Sequence, residues 1–445
     1  MIRHLVYLFL FPAILNAQEN ISTLKNNKVY SAINWSKGLN WQQIKDKAKA
    51  ENKFILVDCY ASWCGPCKKM DKEVFVNDSV GYAVNTNFIA IEVQMDTSKI
   101  DNEFVKDWYA DAHLIAKQHH VGAFPTFLFF SPTGEIVHKS SGYMDAKRFI
   151  SLTEDAVNPG RQYYTLLKNY EGGEIEYENL PYLVSLASHA GEQSLAKHIA
   201  LDYINNYMLK LSPKKIFTKE NLSYITTYVN SSKERAFQLI YENTVNVNKV
   251  LNRPGFAKDW IHYIITVEDI QPIIFLGNEA ATSVDWNILT KKIKRKYGDY
   301  YADRTILDAK SRWYGVKKEW PSYTKFTVDF VEKYGANMGD FNLATKAWSV
   351  FLYSSNKDEL TSAITWTRRI LNRSKDSSNI IPAAMDSYAN LFYKIDYLFN
   401  KKKTCPEAIA LENLALELAK KFKVYNFQKS FTTTIEKMEK GIKTW

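Results

Sequence analysis

The feature of the sequence that most constrains the fold is a pair of cysteines, Cys64 and Cys67, at the junction between two segments of different periodicity. The preceding run from Phe54 to Tyr60 is short and apolar, which is typical of a buried strand, and the run from Pro66 to Phe75 has the amphipathic spacing of a helix. Four cysteines are too few to form a disulfide framework in a chain of 445 residues. The pair instead indicates a strand-to-helix connection of an α/β unit.

The segment around this pair alternates between strands and helices from about residue 33 to residue 157. The spacing predicts further helices from Trp41 to Glu51, Glu103 to His119 and Asp145 to Val157, and strands from Phe88 to Val93, Thr126 to Phe130 and Ile136 to Lys139. The turn Ser131-Pro132-Thr133-Gly134 predicts a hairpin between the last two strands, whereas the crossover helices imply parallel neighbours. We therefore predict a mixed sheet with flanking helices.

The position of the cysteine pair predicts its chemistry. Cys64 lies at the N-terminus of the predicted helix, where free N–H groups and the helix dipole favour a thiolate, so we expect a lowered pKa and an exposed nucleophile. Cys67 lies one turn further on, within reach of Cys64, and can attack a mixed disulfide formed there. Pro66 suits the first helical turn because it lacks an N–H that would be unpaired. We predict a redox-active disulfide between Cys64 and Cys67.

The competing interpretation of two closely spaced cysteines is a zinc site. Zinc needs further ligands, and the nearest candidates, His119 and His120, are adjacent and lack the spacing of metal ligands. We predict no metal and no cofactor.

The other two cysteines are expected to take no part in this chemistry. Cys59 is expected to be a buried free thiol on the opposite face of its strand from Asp58, and Cys405 has no evident partner.

The motifs and their order resemble those of the thioredoxin family over residues 33–157. The matching positions are Val57-Asp58 before Trp63-Cys64-Gly65-Pro66-Cys67, then Phe124-Pro125-Thr126 before a strand, then Gly134 and Gly142. The resemblance implies the α/β thioredoxin fold and thiol–disulfide oxidoreductase activity. It also implies a buried carboxylate at Asp58 that assists proton transfer at Cys67, and a cis peptide bond between Phe124 and Pro125.

The same resemblance implies where a substrate is held. In the family, the backbone of the residue before this proline pairs with the substrate chain beside the disulfide, so Phe124 is a substrate-contact candidate. The predicted substrate-binding residues are Trp63, Gly65, Pro66, Phe124 and Pro125.

Two departures bring the sequence closer to the C-terminal domain of the disulfide reductase DsbD. The run from Tyr60 to Cys64 resembles that domain, and Glu92 stands where thioredoxins usually have lysine.

We predict that Glu92 and Asp58 lie on neighbouring parallel strands close to the thiols. There, desolvation and mutual repulsion raise their pKa values and oppose thiolate formation at Cys64. The alternative is that Glu92 pairs with a nearby lysine such as Lys68. The predicted catalytic residues are Cys64, Cys67, Asp58 and Glu92.

Residues 1–17 have the pattern of a signal peptide, with a basic start, an apolar stretch from Leu5 to Leu15 and a small-residue end at Ala17. The apolar stretch is interrupted by Pro12 and is shorter than the roughly 18 residues needed to span a bilayer. We predict cleavage near Ala17, no transmembrane segment in the mature protein, and a periplasmic or secreted location.

The formal charge of the chain is +10. Because its basic residues are spread over short clusters, we expect no nucleic-acid partner.

Strand signals nearly vanish after the breaker sequence Asn158-Pro159-Gly160. We therefore predict a thioredoxin-like domain over residues 18–158 and an all-α helical domain over residues 161–445. A further boundary is a candidate at residues 335–339.

Towards the end of the chain, short polar turns join predicted helix pairs: Phe341 to Ser354 with Glu359 to Asn372, and Ala383 to Leu398 with Pro406 to Phe422. This pattern loosely resembles tetratricopeptide repeats, and an irregular helical bundle is the alternative.

Together these features predict an exported enzyme that reduces or exchanges disulfides. Its expected partners are protein disulfide substrates and a redox partner protein. The alternative function is that of an envelope interaction protein, in which the helical region binds a protein partner and the thioredoxin-like domain is an accessory module.

Overall fold

The structure is a computed structural model that describes residues 32–374 and 380–445. The predicted signal peptide, residues 1–17, and its cleavage point near Ala17 lie outside the described residues. The chain divides into two compact units, one ending at Tyr207 and the other spanning Met208–Trp445. Across the two described ranges, no helix combines the length and the apolar composition needed to cross a membrane.

A four-stranded mixed sheet forms the centre of the first unit. Its strands are β1 (Phe54–Tyr60), β2 (Phe88–Gln94), β3 (Thr126–Phe130) and β4 (Ile136–Ser141), in the order β2-β1-β3-β4. β1 is parallel to β2 and antiparallel to β3, while β3 and β4 form an antiparallel hairpin. The predicted mixed sheet and hairpin are therefore confirmed.

Helices flank this sheet and continue beyond it. In the described part of the first unit they are α1 (Trp41–Glu51), α2 (Gly65–Glu73), α3 (Asp78–Asn87), α4 (Glu103–Asp107), α5 (Tyr109–Gln118), α6 (Ala146–Val157), α7 (Tyr163–Glu171), α8 (Leu180–His189) and α9 (Gln193–Asn206). Side-chain caps set several of the helix starts. Asn40 forms a capping box with Gln43 at α1, and Asn77 caps α3, a helix that the sequence pattern does not predict.

The helix predicted from Glu103 to His119 is interrupted. α4 and α5 meet at Trp108, whose side chain is buried and donates a hydrogen bond from Nε1 to the backbone oxygen of Leu39, with 3.1 Å between the atoms. Because this side chain is drawn into the core, one predicted helix becomes two.

An apolar cluster covers each face of the sheet. Leu56 on β1 belongs to one cluster, and Ile55, Val57 and Cys59 belong to the other, as the two-residue period of a strand requires. Cys59 is a fully buried free thiol, which confirms its prediction. Asp58 lies between Val57 and Cys59, so its side chain points to the opposite face from both.

The chain beyond Asn158-Pro159-Gly160 still packs on the sheet. The backbone N–H of Tyr163 donates to Nδ1 of the buried His138 on β4, with 2.9 Å between the nitrogens. Ser141 Oγ donates to the backbone oxygen of His189 at 2.8 Å. α7 and α8 therefore belong to the same compact unit as the sheet. The domain boundaries at 158–161 and 335–339 remain predictions.

The second unit is mainly helical. Its elements are α10 (Pro213–Ile216), α11 (Lys219–Tyr228), α12 (Arg235–Glu242), α13 (Thr244–Leu251), α14 (Phe256–Ile265), α15 (Gln271–Ile274), β5 (Phe275–Leu276), β6 (Glu279–Ala280), α16 (Trp286–Val316, with a kink at Gly298), α17 (Trp320–Tyr334), α18 (Asp340–Tyr353), α19 (Lys357–Arg373), α20 (Ile380–Phe399), α21 (Pro406–Lys421) and α22 (Tyr425–Glu439). Helices α18 to α21 correspond to the predicted pairs. The tetratricopeptide-like arrangement remains a prediction.

Cys405 has a partner that the sequence did not indicate. Its buried Sγ donates to a carboxylate oxygen of Asp396, with 3.1 Å between sulfur and oxygen. Burial raises the pKa of Cys405 to about 11, and the neighbouring Asp396 adds to the effect. Cys405 is therefore a structural thiol with low reactivity.

Candidate active site

The cysteine pair lies at the strand-to-helix junction that the sequence predicts. β1 ends at Tyr60, and α2 begins at Gly65 with Cys64 as its N-cap and Pro66 in its first turn. Sγ of Cys64 accepts a hydrogen bond from the backbone N–H of Cys67, with 3.1 Å between sulfur and nitrogen. A negative charge on this sulfur would be stabilised by that N–H group and by the helix dipole.

Cys64 and Cys67 form a disulfide, and their Cα atoms are 5.4 Å apart. Cys64 is 2% exposed and Cys67 is 4% exposed. The expectation of an exposed Cys64 is therefore wrong for the disulfide form, because Tyr60 and Phe124 pack against the pair.

The predicted substrate-binding residues surround this disulfide. Trp63 is 70% exposed, and its ring meets that of Phe124 edge to face, with 5.9 Å between the centroids. The Phe124-Pro125 bond is cis, as predicted. The carbonyl of Pro125 accepts a hydrogen bond from the backbone N–H of Gly142 at 2.8 Å, which holds this loop against the end of β4. Trp63 and Phe124 thus form an aromatic edge beside the disulfide.

The loop before Trp63 is held by a contact that sequence reasoning missed. The backbone N–H of Ser62 donates to Asp96 Oδ1 at 2.8 Å, and its hydroxyl donates to Oδ2 of the same residue. Asp96 follows the end of β2, so the carboxylate ties the approach to the cysteines to the neighbouring strand. An acidic residue shortly after the predicted strand was the available signal, because the end of a strand beside β1 lies near the loop that follows β1.

Three carboxylates cluster where β1, β2 and α2 meet. Asp58 and Glu92 are register partners on the parallel strands β1 and β2, which confirms that these strands are neighbours. Asp71 completes the cluster, and carboxylate oxygens of the three residues lie within 4.8 Å of one another. Sequence reasoning missed Asp71, although it lies four residues after Cys67 and so on the same side of the helix. This spacing places Asp71 one helical turn from Cys67.

Burial and mutual repulsion act on this cluster. Burial raises the pKa of Asp58 well above its ordinary value, and the charges of Glu92 and Asp71 raise it further. Oδ1 of Asp58 is buried without a hydrogen-bond partner. Partial burial and Asp71 also raise the pKa of Glu92, while Lys37 opposes the shift. Lys68, the example given for a lysine partner of Glu92, forms no ion pair with it in the described structure, and the lysine whose charge acts on Glu92 is Lys37.

The same three side chains are the candidates for holding a metal ion. Within residues 32–374 and 380–445, no other group of three or more His, Cys, Asp or Glu side chains has the spacing of a metal site. Carboxylate oxygens are ligands for hard cations such as Ca²⁺ and Mg²⁺ rather than for zinc. Two of the three, Asp71 and Glu92, are exposed, and exposed acidic groups commonly bind no ion. The cluster by itself is therefore not evidence for a metal.

The mixed sheet and the Cys-Gly-Pro-Cys disulfide at a helix N-terminus define a thioredoxin-like domain of the thiol–disulfide oxidoreductase class. The model of a thioredoxin-like domain matches residues 41–156. Thioredoxin H4 of Arabidopsis thaliana is 31% identical over 102 residues, which are 23% of this chain and 71% of the relative. The chain belongs to the thioredoxin family.

The thiol–disulfide interchange protein DsbD of Colwellia psychrerythraea is 26% identical over 151 residues, which are 33% of this chain and 22% of DsbD. The chain thus spans about a fifth of the length of the DsbD relatives that it matches. The crystal structure of the reduced C-terminal domain of Neisseria meningitidis DsbD is similar at 22% identity, covering 26% of this chain and 92% of that domain, with a TM-score of 0.21.

Proposed function

We propose that the protein is an exported enzyme that reduces or exchanges disulfides in other proteins, with Cys64 as the nucleophile and Cys67 as the resolving thiol. The observation that carries the proposal is the position of Cys64 as N-cap of α2, where the N–H of Cys67 contacts its sulfur. The thioredoxin resemblance supports the same roles. Reduction of insulin disulfides by the full chain with dithiothreitol as electron donor tests the activity, and a rate equal to that without protein contradicts it.

The proposed reaction has two exchange steps. The Cys64 thiolate attacks one sulfur of a substrate disulfide, forming a mixed disulfide and releasing the other substrate sulfur as a thiolate. The Cys67 thiol then loses its proton and attacks Cys64 Sγ, which releases the second substrate thiolate. The substrate gains two electrons, and the enzyme is left with the Cys64–Cys67 disulfide. A dithiol redox partner restores the reduced pair by the same exchange in reverse.

The carboxylate cluster offers a proton acceptor for the second step. The thioredoxin resemblance assigns this role to Asp58, whose pKa is raised by burial and so lies closer to that of a thiol. Glu92 and Asp71 raise it further. In this proposal Glu92 also opposes ionisation of Cys64, because its negative charge disfavours a second one nearby.

Substrate binding is proposed for the aromatic edge. Trp63 and Phe124 present ring surface beside the disulfide, and the backbone at Phe124 is the proposed pairing site for an extended substrate chain. Gly65 and Pro66 form the exposed start of α2 between the cysteines and complete the surface.

The export proposal rests on the pattern of residues 1–17, and a periplasmic or secreted location follows from it. Fractionation of expressing cells and N-terminal sequencing of the recovered protein test it. A mature protein that begins near Gln18 supports export, and an intact N-terminus in the cytoplasmic fraction contradicts it.

We expect Cys64 to be the first cysteine to react when the reduced, folded protein meets a limiting amount of iodoacetamide. The N-terminus of α2 favours the Cys64 thiolate, whereas burial raises the pKa values of Cys59 and Cys405. Peptide mapping by mass spectrometry identifies the labelled residue. Earlier labelling of Cys67 or Cys59 contradicts the assignment of the nucleophile.

We expect Glu92→Gln to move the pH profile of Cys64 alkylation to lower pH. The substitution removes a negative charge near the thiols while nearly keeping the shape of the side chain, so the thiolate forms more readily. Adding Asp58→Asn should move the profile further in the same direction. Glu135→Gln, in the exposed β3–β4 turn, is the control and should leave the profile unchanged. A profile that stays in place or moves to higher pH in Glu92→Gln shows that this carboxylate is not coupled to the thiols.

A further inference from the structure

A polar side chain, Gln94, is buried at the end of the sheet that carries the cysteines. Gln94 is the last residue of β2 and the register partner of Tyr60, the last residue of β1. Tyr60 in turn packs against Cys64 and Cys67. Gln94 is only 9% exposed, and a buried amide is costly unless its polar atoms form hydrogen bonds.

The amide of Gln94 joins two segments that follow β2. Its Nε2 donates to Oδ2 of Asp101 at 2.8 Å and to the backbone oxygen of Asp96 at 3.1 Å. Its Oε1 accepts from the hydroxyl of Tyr60 at 3.5 Å, which is at the long end of hydrogen-bond distances. Because Asp101 Oδ2 and the Asp96 carbonyl are both acceptors, only the NH₂ group of the amide can face them. The orientation of the side chain is thereby determined.

Asp101 is held firmly by its own segment. Its Oδ2 also accepts from the backbone N–H of Ser98 at 2.8 Å and from the hydroxyl of Tyr109 at 2.6 Å. The hydrogen bond from Tyr109 holds the pKa of Asp101 below its ordinary value, so the carboxylate is ionised at neutral pH. Hydrogen bonds to an ionised acceptor are stronger than those between neutral groups. Gln94 is therefore attached to a braced segment that extends from Ser98 to Tyr109.

The other partner of Gln94 leads to the cysteine pair. Asp96, whose backbone oxygen accepts from Gln94, uses its carboxylate to accept from the N–H and the hydroxyl of Ser62. Ser62 directly precedes Trp63, which forms the aromatic edge with Phe124. Because 70% of Trp63 is exposed, its position depends largely on the backbone that carries it. A continuous chain of hydrogen bonds thus connects the segment after β2 to the loop that presents Trp63.

We propose that Gln94 and Asp101 are positioning residues, which hold the loop of Ser62 and Trp63 in place for protein substrates. They act through Asp96 and Ser62 rather than on the reacting sulfurs. The inference rests on the proposed function, since it concerns the binding of a protein disulfide beside the aromatic edge. A loop that is already in place loses less conformational freedom when a substrate binds. The network therefore favours protein substrates over small thiols, which do not need the aromatic edge.

Gln94→Met tests this role, because it nearly keeps the size of the side chain and removes its hydrogen bonds. We expect the KM for insulin, with dithiothreitol as electron donor, to rise about tenfold, since a hydrogen bond to a charged group contributes a factor of that order. The value of kcat should stay close to that of the parent chain, as expected when binding alone is weakened. Reduction of the Cys64–Cys67 disulfide by dithiothreitol should keep its parent rate.

Gln42→Met on α1 is the matched control. Gln42 is exposed, and its Nε2 also donates to a carboxylate oxygen, that of Asp46, at 2.9 Å. The control variant thus loses the same kind of hydrogen bond in a different part of the unit. We expect it to keep the parent KM and kcat for insulin and the parent rate with dithiothreitol.

A pair of substitutions tests the contact between Gln94 and Asp101 directly. Gln94→Glu places two carboxylates side by side, so their repulsion should raise the KM at least as far as Gln94→Met does. Adding Asp101→Asn to Gln94→Glu restores a donor and an acceptor with reversed roles, and should lower the KM again. Far-UV circular dichroism establishes that each variant is folded. A double variant whose KM is no lower than that of Gln94→Glu contradicts the assigned contact.

Hydrogen exchange of the peptide that contains Ser62, followed by mass spectrometry, measures the loop without any need for activity. We expect faster exchange in Gln94→Met than in Gln42→Met. Exchange and KM like those of the parent chain, or a loss confined to kcat, overturn the proposal. Faster exchange in a chain that does not reduce insulin supports the positioning role and contradicts the proposed function instead.

Discussion

Cys64→Ser is expected to reduce insulin-disulfide reduction by the full chain to the rate measured without protein. A serine hydroxyl cannot form a mixed disulfide, so the first exchange step is lost entirely. Cys67→Ser should lose turnover too, but for a different reason. Its first step remains intact, so a mixed disulfide with substrate at Cys64 should accumulate and be visible by non-reducing electrophoresis and mass spectrometry.

Cys405→Ser is the control for this experiment. Its hydroxyl can still donate to Asp396, as the thiol does, and the residue lies in the second unit. We expect it to keep the full rate of insulin reduction. A Cys64→Ser variant that keeps a measurable fraction of the activity contradicts the proposed mechanism, and accumulation of the adduct in Cys64→Ser but not in Cys67→Ser reverses the two roles.

Glu412→Gln is expected to raise the free energy of unfolding at pH 7 by about 3 kcal/mol. Glu412 on α21 is fully buried, and its carboxyl group contacts that of Asp386 on α20. Burial and the charge of Asp386 raise the pKa of Glu412 well above its ordinary value of 4.5. The folded protein therefore retains a proton that the unfolded chain releases, and the proton must be taken up on folding at pH 7.

The sign of the pH dependence follows from this proton. Because the folded state binds more protons than the unfolded state, stability falls as the pH rises above about 4.5 towards the raised pKa of the folded state. Glutamine is neutral in both states, so the advantage of Glu412→Gln should vanish below that pH and grow above it.

Urea unfolding at pH 4 and pH 7 measures the difference. Glu417→Gln is the matched control, because Glu417 is exposed on the same helix and its replacement should change stability by less than about 0.5 kcal/mol. A gain in Glu412→Gln that is the same at both pH values, or no larger than that of the control, contradicts a buried protonated carboxyl.

Local pattern was sufficient to predict the strands of the thioredoxin-like domain. The strands at Phe54, Phe88, Thr126 and Ile136 begin where the sequence predicts, because apolar runs and turn residues are local signals. The pairing of Asp58 with Glu92 followed once the two strands were taken as parallel neighbours. The cis bond at Pro125 came from family resemblance and not from the residues alone.

Other parts of the site depend on contacts between distant segments, which local pattern does not reveal. Asp71 resembles any polar residue on a helix surface until β2 brings Glu92 beside it. The Ser62 contact depends on the path of the chain after β2. Likewise, the buried pair of Asp386 and Glu412 arises only when helices of the second unit pack together.

The strand β4 is at the edge of the sheet, where unpaired backbone groups can recruit a strand from another molecule. Its residues His138, Lys139 and Ser140 are consecutive and all buried, so both faces of the strand are covered. Side-chain contacts from β4 to α7 and α8 contribute to this cover. The helices that follow Asn158-Pro159-Gly160 thereby help to bury β4, and we expect a chain cut at that sequence to aggregate more readily.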